Sequence, residues 1–206
     1  EIDELARLIA RHRPTTLFGS DDLYARLLDE IPGEHPMPSV KWAGYASFNA
    51  ALGDLPELAE KRGLLLCGLY GMSEVQALYA RQPIDVDTAR RKIGGGIVVS
   101  PLAHVRVRDP ESGKLLGVGE PGELECAGPS LMVGYYGNDQ ATTAAMTGDG
   151  YVRTGDLAEL DAHGGFTFLS RMFNPLISLL RPVSPLAWLP IGLLVFKGAN
   201  PAAIWT

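Results

Sequence analysis

Three short segments carry residue types that could do chemistry. The first, Tyr70-Gly71-Met72-Ser73-Glu74, closes an uninterrupted apolar run, Leu64 to Tyr70, that reads as a strand buried on both faces. In open α/β sheets, ligands bind just beyond the carboxyl ends of strands. A ring that stacks on a base, a glycine that allows close approach, a hydroxyl that donates to a phosphate oxygen and a carboxylate that holds Mg²⁺ form a kit for a metal-bound nucleotide. The second segment runs from Gly122-Glu-Leu-Glu-Cys-Ala-Gly-Pro-Ser130 to Gly134-Tyr135 and by itself reads as a strand leaving a Gly-Pro turn. The third is Asp149-Gly-Tyr-Val-Arg-Thr-Gly-Asp-Leu157. A carboxylate such as Asp156, set after a glycine at the end of a strand, can accept hydrogen bonds from both hydroxyls of a ribose. Taken singly, the first and third segments read equally well as turns.

Positioning these groups needs a scaffold, and the chain's patterning supplies one. Ile2, Leu5, Ala6, Leu8 and Ile9 share one face of a helix over residues 2–12, ended by Pro14. Ser20 is placed to cap a second helix, Asp21 to Ile31, with acid residues in its first turn and Leu23, Leu27 and Leu28 inward. A Pro- and Gly-bearing loop, Pro32 to Ser39, leads to a short strand, Val40 to Ala43. Asp54 to Lys61 reads as a helix stopped by Gly63. Helix and strand alternate here as in the last units of a parallel α/β sheet. After Ile93 the texture changes to short strands, His104–Arg108, Gly122–Ala127, Leu157–Leu160 and Phe166–Leu169, divided by polar turns, with one helix over Asn138–Met146. The expectation is therefore an α/β protein. It has the end of a parallel α/β subdomain over residues 1–92, a small antiparallel β-barrel-like subdomain over 93–171, and an apolar C-terminal tail over 172–206.

The bulk properties narrow the function classes. The 206 residues suffice for a real core, and the net charge of −6 comes from 18 basic and 24 acidic residues that are interspersed. No basic stripe is present, so nucleic acid is not an expected partner. Cys67 and Cys126 sit far apart in apolar runs and read as two buried thiols, with no metal-ligand spacing. His12, His35, His104 and His163 stand singly. Arg90, Arg91 and Lys92 read as a solvated loop, with an anion site as the alternative. The chain opens at Glu1 without a basic n-region or apolar h-region, and it reads as an internal piece placed in the cytoplasm.

In their order, the three segments resemble the core motifs of the adenylate-forming superfamily, which includes acyl- and aryl-CoA synthetases, luciferases and peptide-synthetase adenylation domains. Gly44-Tyr-Ala-Ser-Phe48 resembles that family's small-residue adenine loop. Asp109-Pro-Glu-Ser-Gly113 matches its hairpin, and Gly165-Phe-Thr-Phe-Leu-Ser-Arg171 the strand leading to its hinge Arg. The resemblance covers nearly everything to Arg171 and is closest in style to a free-standing acyl-CoA synthetase. It implies an acid–thiol ligase using ATP, Mg²⁺ and CoA on a carboxylic acid, with acyl-AMP as intermediate. It implies Ser73 and Glu74 as catalytic residues, Ser73 on the α-phosphate and Glu74 on Mg²⁺. Nucleotide-binding roles fall to Gly44 and Ala46 as one wall for adenine, Tyr70 and Gly71 at the other, Asp156 on the ribose, and Arg171 near the ribose or phosphate.

Four departures stand beside the match. The Ser/Thr/Gly-rich phosphate loop is not among these residues, nor is the lid Lys of the family, Phe173 stands where the hinge region expects Asp or Lys, and Ser170 replaces a Gly. The expectation is a truncated fragment that is inactive as given. The run from Pro182 to Phe196 carries no charge, holds three prolines, and falls short of the ~20 residues that span a bilayer. Its Arg181-Pro-Val-Ser-Pro-Leu-Ala-Trp-Leu-Pro190 resembles the membrane subunit of nitrate/sulfonate-type ABC importers. The expected tail is thus alien to the enzyme and a source of non-specific membrane association. Two alternative readings accompany this one, a fragment of an importer permease and an inert nucleotide-binding remnant.

Overall fold

A computed structural model of the chain describes residues 1–171. The tail over 172–206, its importer resemblance and its membrane association lie outside the described residues. Among those described, no helix is long and apolar enough to cross a membrane.

Helix α1 spans Ile2–His12 and ends on Arg13 in the left-handed region, where its N–H bonds back to the Ile9 carbonyl before Pro14. Of its apolar stripe only Ile9 is buried. Strand β1, Thr16–Ser20, follows, and Ser20 caps α2, Asp21–Glu30, by accepting from the Leu23 N–H at 3.3 Å. Strand β2 runs Trp42–Ala46, α3 Leu55–Lys61 and β3 Leu66–Tyr70. These three strands are parallel, with Ser20 opposite Ala46 and Tyr45 opposite Gly68, so their carboxyl ends lie along one edge.

The chain then turns back through β4 (Ala80–Arg81), α4 (Thr88–Arg91) and β5 (Gly95–Val98). The antiparallel part consists of β6 (His104–Arg108), β7 (Gly122–Ala127), β8 (Val152–Leu160) and β9 (Phe166–Arg171), with α5 (Asp139–Ala145) between β7 and β8. All nine strands join one mixed sheet in the order β1-β2-β3-β4-β5-β9-β8-β7-β6. Two apolar clusters hold it. One gathers Tyr24, Leu27, Leu55, Ala59 and Leu66 beneath the helices. The other gathers Tyr70, Val75, Tyr79, Leu124, Cys126 and Phe166 under the antiparallel strands.

Several expectations needed revision. The strand expected at Val40–Ala43 lies further on, so Gly44 to Ala46 are strand rather than loop. Strand β8 begins at Val152, which puts Asp156 inside a strand instead of at its end. The basic trio is not a solvated loop. Arg91 is 3% exposed, donates to the Leu66 and Val86 carbonyls, and pairs with Glu60, tying α4 to β3 and α3. Lys92 pairs with Glu57 at 2.7 Å. Cys67 and Cys126 are buried free thiols, and burial pushes the Cys67 thiol up to about 11.

Candidate nucleotide site

Strand β3 delivers the first segment. Tyr70 is its last residue, and the chain turns at Gly71 into a single 3₁₀ turn over Ser73–Val75. Gln76 (φ 61°) and Ala77 (φ 72°) are left-handed, which folds the chain back so that the Tyr79 N–H reaches the Tyr70 carbonyl at 2.9 Å. The fold-back passes so close that a Cβ on Gly71 would stand 1.1 Å from the Ala77 carbonyl oxygen, so no other residue fits. The turn presents Ser73 half-buried and Glu74 at 3% exposure.

The second segment closes over Glu74 from both sides. The Tyr135 hydroxyl donates to Glu74 Oε1 at 2.8 Å, and the Met132 N–H donates to the Glu74 carbonyl at 2.8 Å. Tyr135 is fixed in turn, because its N–H donates to Thr142 Oγ1 at 2.9 Å and Thr142 Oγ1 donates to the Asn138 carbonyl at 3.0 Å.

The third segment reaches the first across the sheet. Asp156 is 5% exposed, and its Oδ2 accepts from the Tyr70 hydroxyl at 2.7 Å. Burial raises the Tyr70 phenol well above its ordinary value, and the charge of Asp156 adds to this, so the tyrosine stays a donor. A bulge aims Asp156. Between the pairs Glu125–Arg153 and Glu123–Leu157 the β7–β8 register shifts, Gly155 adopts φ 61°, and its N–H donates to Glu123 Oε1 at 3.1 Å. Thr154, fully buried, donates to the Leu124 carbonyl at 2.7 Å and accepts from the Asp156 N–H at 3.1 Å. Arg171 stands opposite Asp156 in the β8–β9 register.

The structure thus brings Tyr70 to Asp156, and the segment of Tyr135 to Glu74. It does not bring Gly44 to the Tyr70 ring. A Cβ on Gly44 would meet Phe18 and Leu69, and side chains alternate along β3, so Gly44 faces the side opposite Tyr70. The Tyr70 ring is mostly covered, edge-on to Phe166 at 5.1 Å and tilted to Phe168 at 6.0 Å. Ala46 ends β2 on the same edge as Tyr70.

Sequence reasoning missed three contributors, namely Tyr135 as the Glu74 partner, Thr154 beneath Asp156, and Asp21. Asp21 Oδ2 accepts from the Phe48 and Asn49 N–H groups, each at 2.7 Å, and so pins the segment that follows Ala46. Its signal was present in Ser20-Asp-Asp22 but read only as a helix start. A cleft of about 570 Å³ lies elsewhere, between α1 and the stretch before β2, lined by Ala6, Ile9, Arg13, Ile31 and Met37. It holds no residue of the three segments.

A hydroxyl, two buried carboxylates and a tight glycine turn at the carboxyl end of a parallel strand give this mixed α/β sheet the build of a small-ligand-binding protein. The chain belongs to the AMP-binding enzyme family, whose model matches residues 1–136. It is 35% identical over 130 residues to a luciferin 4-monooxygenase of Photuris pensylvanica, which is 63% of this chain and 23% of the relative. It is 36% identical over 103 residues to 4-coumarate–CoA ligase-like 4 of Oryza sativa subsp. japonica, 50% of this chain and 18% of the relative. The chain therefore spans about a fifth to a quarter of these relatives. Among solved structures it resembles ATP-bound MatB from Rhodopseudomonas palustris, with TM-score 0.68, 30% identity, and coverage of 83% of this chain and 33% of that one. The o-succinylbenzoate–CoA synthetase of Bacillus subtilis in complex with AMP shares the fold at TM-score 0.70, with 21% identity and coverage of 83% and 34%.

Proposed function

We propose that residues 1–171 form the adenosine- and metal-binding side of an ATP-dependent acyl-CoA synthetase. In that reaction a substrate carboxylate attacks the α-phosphorus of ATP, pyrophosphate leaves, and the CoA thiol then displaces AMP from the acyl carbon. Attacker and target are both anionic, so the protein's task is positioning and charge neutralisation. The observation that carries the proposal is the meeting of Tyr70 with Asp156, two residues from separate segments whose types suit one nucleoside. A carboxylate offers about four lone-pair sites, so Asp156 can accept from Tyr70 and from ribose hydroxyls together. Tyr70 and Gly71 flank the base on one side and Ala46, at the end of β2, on the other. Ser73 donates to the α-phosphate.

Mg²⁺ fits Glu74. Among the described residues no group of three or more His, Cys, Asp or Glu side chains could cage a metal. Mg²⁺ is commonly held by one or two carboxylates with substrate phosphates completing the shell, and Glu74 supplies one carboxylate. Bound there, the ion would neutralise phosphate charge. Glu74 holds its place for that charge through Tyr135 and the Met132 N–H.

The names of the similar proteins, a 4-coumarate–CoA ligase-like protein and an o-succinylbenzoate–CoA synthetase, support a carboxylic acid and CoA as co-substrates. The division into residues 1–92 and 93–171, a cytoplasmic setting and the foreign origin of 172–206 belong to the same proposal.

The test is calorimetric titration of AMP into the chain and into Asp156→Asn, which keeps an acceptor for Tyr70. Hydrogen bonds to a charged group contribute ~1.5–3 kcal/mol each, so binding is expected to weaken roughly 10- to 100-fold. Equal affinities would remove Asp156 from the ribose.

A further inference from the structure

We infer that Tyr135 is a positioning residue for the metal-bearing carboxylate, fixing Glu74 in the rotamer that meets a phosphate-bound Mg²⁺; this rests on the proposed role of Glu74. The geometry has three layers. Glu74 is buried at 3% exposure, so its carboxylate orientation is decided by protein groups rather than by water. The Tyr135 hydroxyl donates to Oε1 at 2.8 Å, which leaves the orientation of Oε2 set by that bond. The donor's own backbone is anchored, since Thr142 Oγ1 takes the Tyr135 N–H at 2.9 Å, and a Cβ at the preceding Gly134 would stand 2.8 Å from Thr142 Cγ2.

The anchor reaches Glu74 a second time. Met132, three residues before Tyr135, donates its N–H to the Glu74 carbonyl at 2.8 Å. The stretch 132–135 therefore grips the backbone and the carboxylate of one residue, and α5 holds the stretch through Thr142. A carboxylate that meets a divalent cation needs a hydrogen-bond partner to hold its plane, and loss of such a partner typically costs 10- to 100-fold in metal affinity. A phenol suits the task in a mostly apolar wall, because its ring packs while its hydroxyl donates.

The experiment measures ATP affinity of the chain by calorimetry, with Mg²⁺ and with a chelator in its place, for wild type, Tyr135→Phe and Glu74→Gln. The quantity read is the gain in affinity due to Mg²⁺, and the metal-free affinity reports that each variant is folded. Wild type is expected to show a gain, Glu74→Gln to lose it, and Tyr135→Phe to lose about tenfold of it with its metal-free affinity unchanged. A purely structural Tyr135 would lower both affinities together, and that result overturns the inference. A full gain in Tyr135→Phe beside a lost gain in Glu74→Gln also overturns it while leaving the metal role of Glu74 standing. A gain retained in Glu74→Gln overturns the metal role itself, and the inference with it. Should Tyr135→Phe not fold, Thr142→Val loosens the same anchor, and the same loss confined to the Mg²⁺-dependent gain is expected.

Discussion

Gly71 shows how little freedom the first segment has. Its α-carbon lies against the Ala77 carbonyl, so Gly71→Ala must push the left-handed pair Gln76–Ala77 out of place. Overpacking against backbone costs about 3 kcal/mol or more, and the displaced turn carries Ser73 and Glu74 with it. We expect a lower melting temperature together with lost nucleotide binding; an unchanged melting temperature would mean the turn is softer than described. At this scale the sequence was informative about type and silent about partners. Tyr70, Ser73, Glu74 and Asp156 stood out because aromatic, hydroxyl and carboxylate groups beside glycines suit a nucleotide. The bonds Tyr70–Asp156 and Tyr135–Glu74 join residues 86 and 61 positions apart, and nothing local announces them.

Among the elements, those with local punctuation were legible. Pro14, Ser20, Gly63 and Asn138 mark the ends of α1, α2, α3 and α5 through backbone geometry and capping, and the observed bounds agree to within a residue or so. Strands β1, β4 and β5 were not legible, because two to five residues with no alternation owe their pairing to neighbours from elsewhere in the chain. The bulge that aims Asp156 was hidden for the same reason. One electrostatic feature of the β6–β8 region gives a pH prediction. Arg106 donates to both oxygens of Asp149 at 2.5 and 2.9 Å, binds the fully buried Glu125 and lies 3.7 Å over the Tyr151 ring. The Arg106 hydrogen bonds hold the Asp149 carboxyl well below its ordinary value near 3.8. A depressed folded value stabilises above the unfolded value and is lost as pH falls through the folded one. The melting-temperature difference between wild type and Asp149→Asn is thus expected to be largest near neutral pH and to shrink steadily below about pH 4. A difference independent of pH would deny the ion pair its role.

For the whole molecule, the two expected textures were visible in the sequence but their union was not. Parallel strands β1 to β3 and antiparallel strands β5 to β9 form one sheet because the two-residue β4 bridges Leu69–Tyr70 to Ile97–Val98. That continuity sets Asp156 of the antiparallel half against Tyr70 of the parallel half, and it is the reason the first and third segments meet. The most direct test is a crystal structure of the chain with AMP. The ribose hydroxyls are expected within hydrogen-bond reach of Asp156, roughly 2.6–3.2 Å, with the base at the carboxyl ends of β2 and β3 beside Tyr70. AMP seated in the cleft between α1 and the stretch before β2, or with its ribose away from Asp156, would contradict the account.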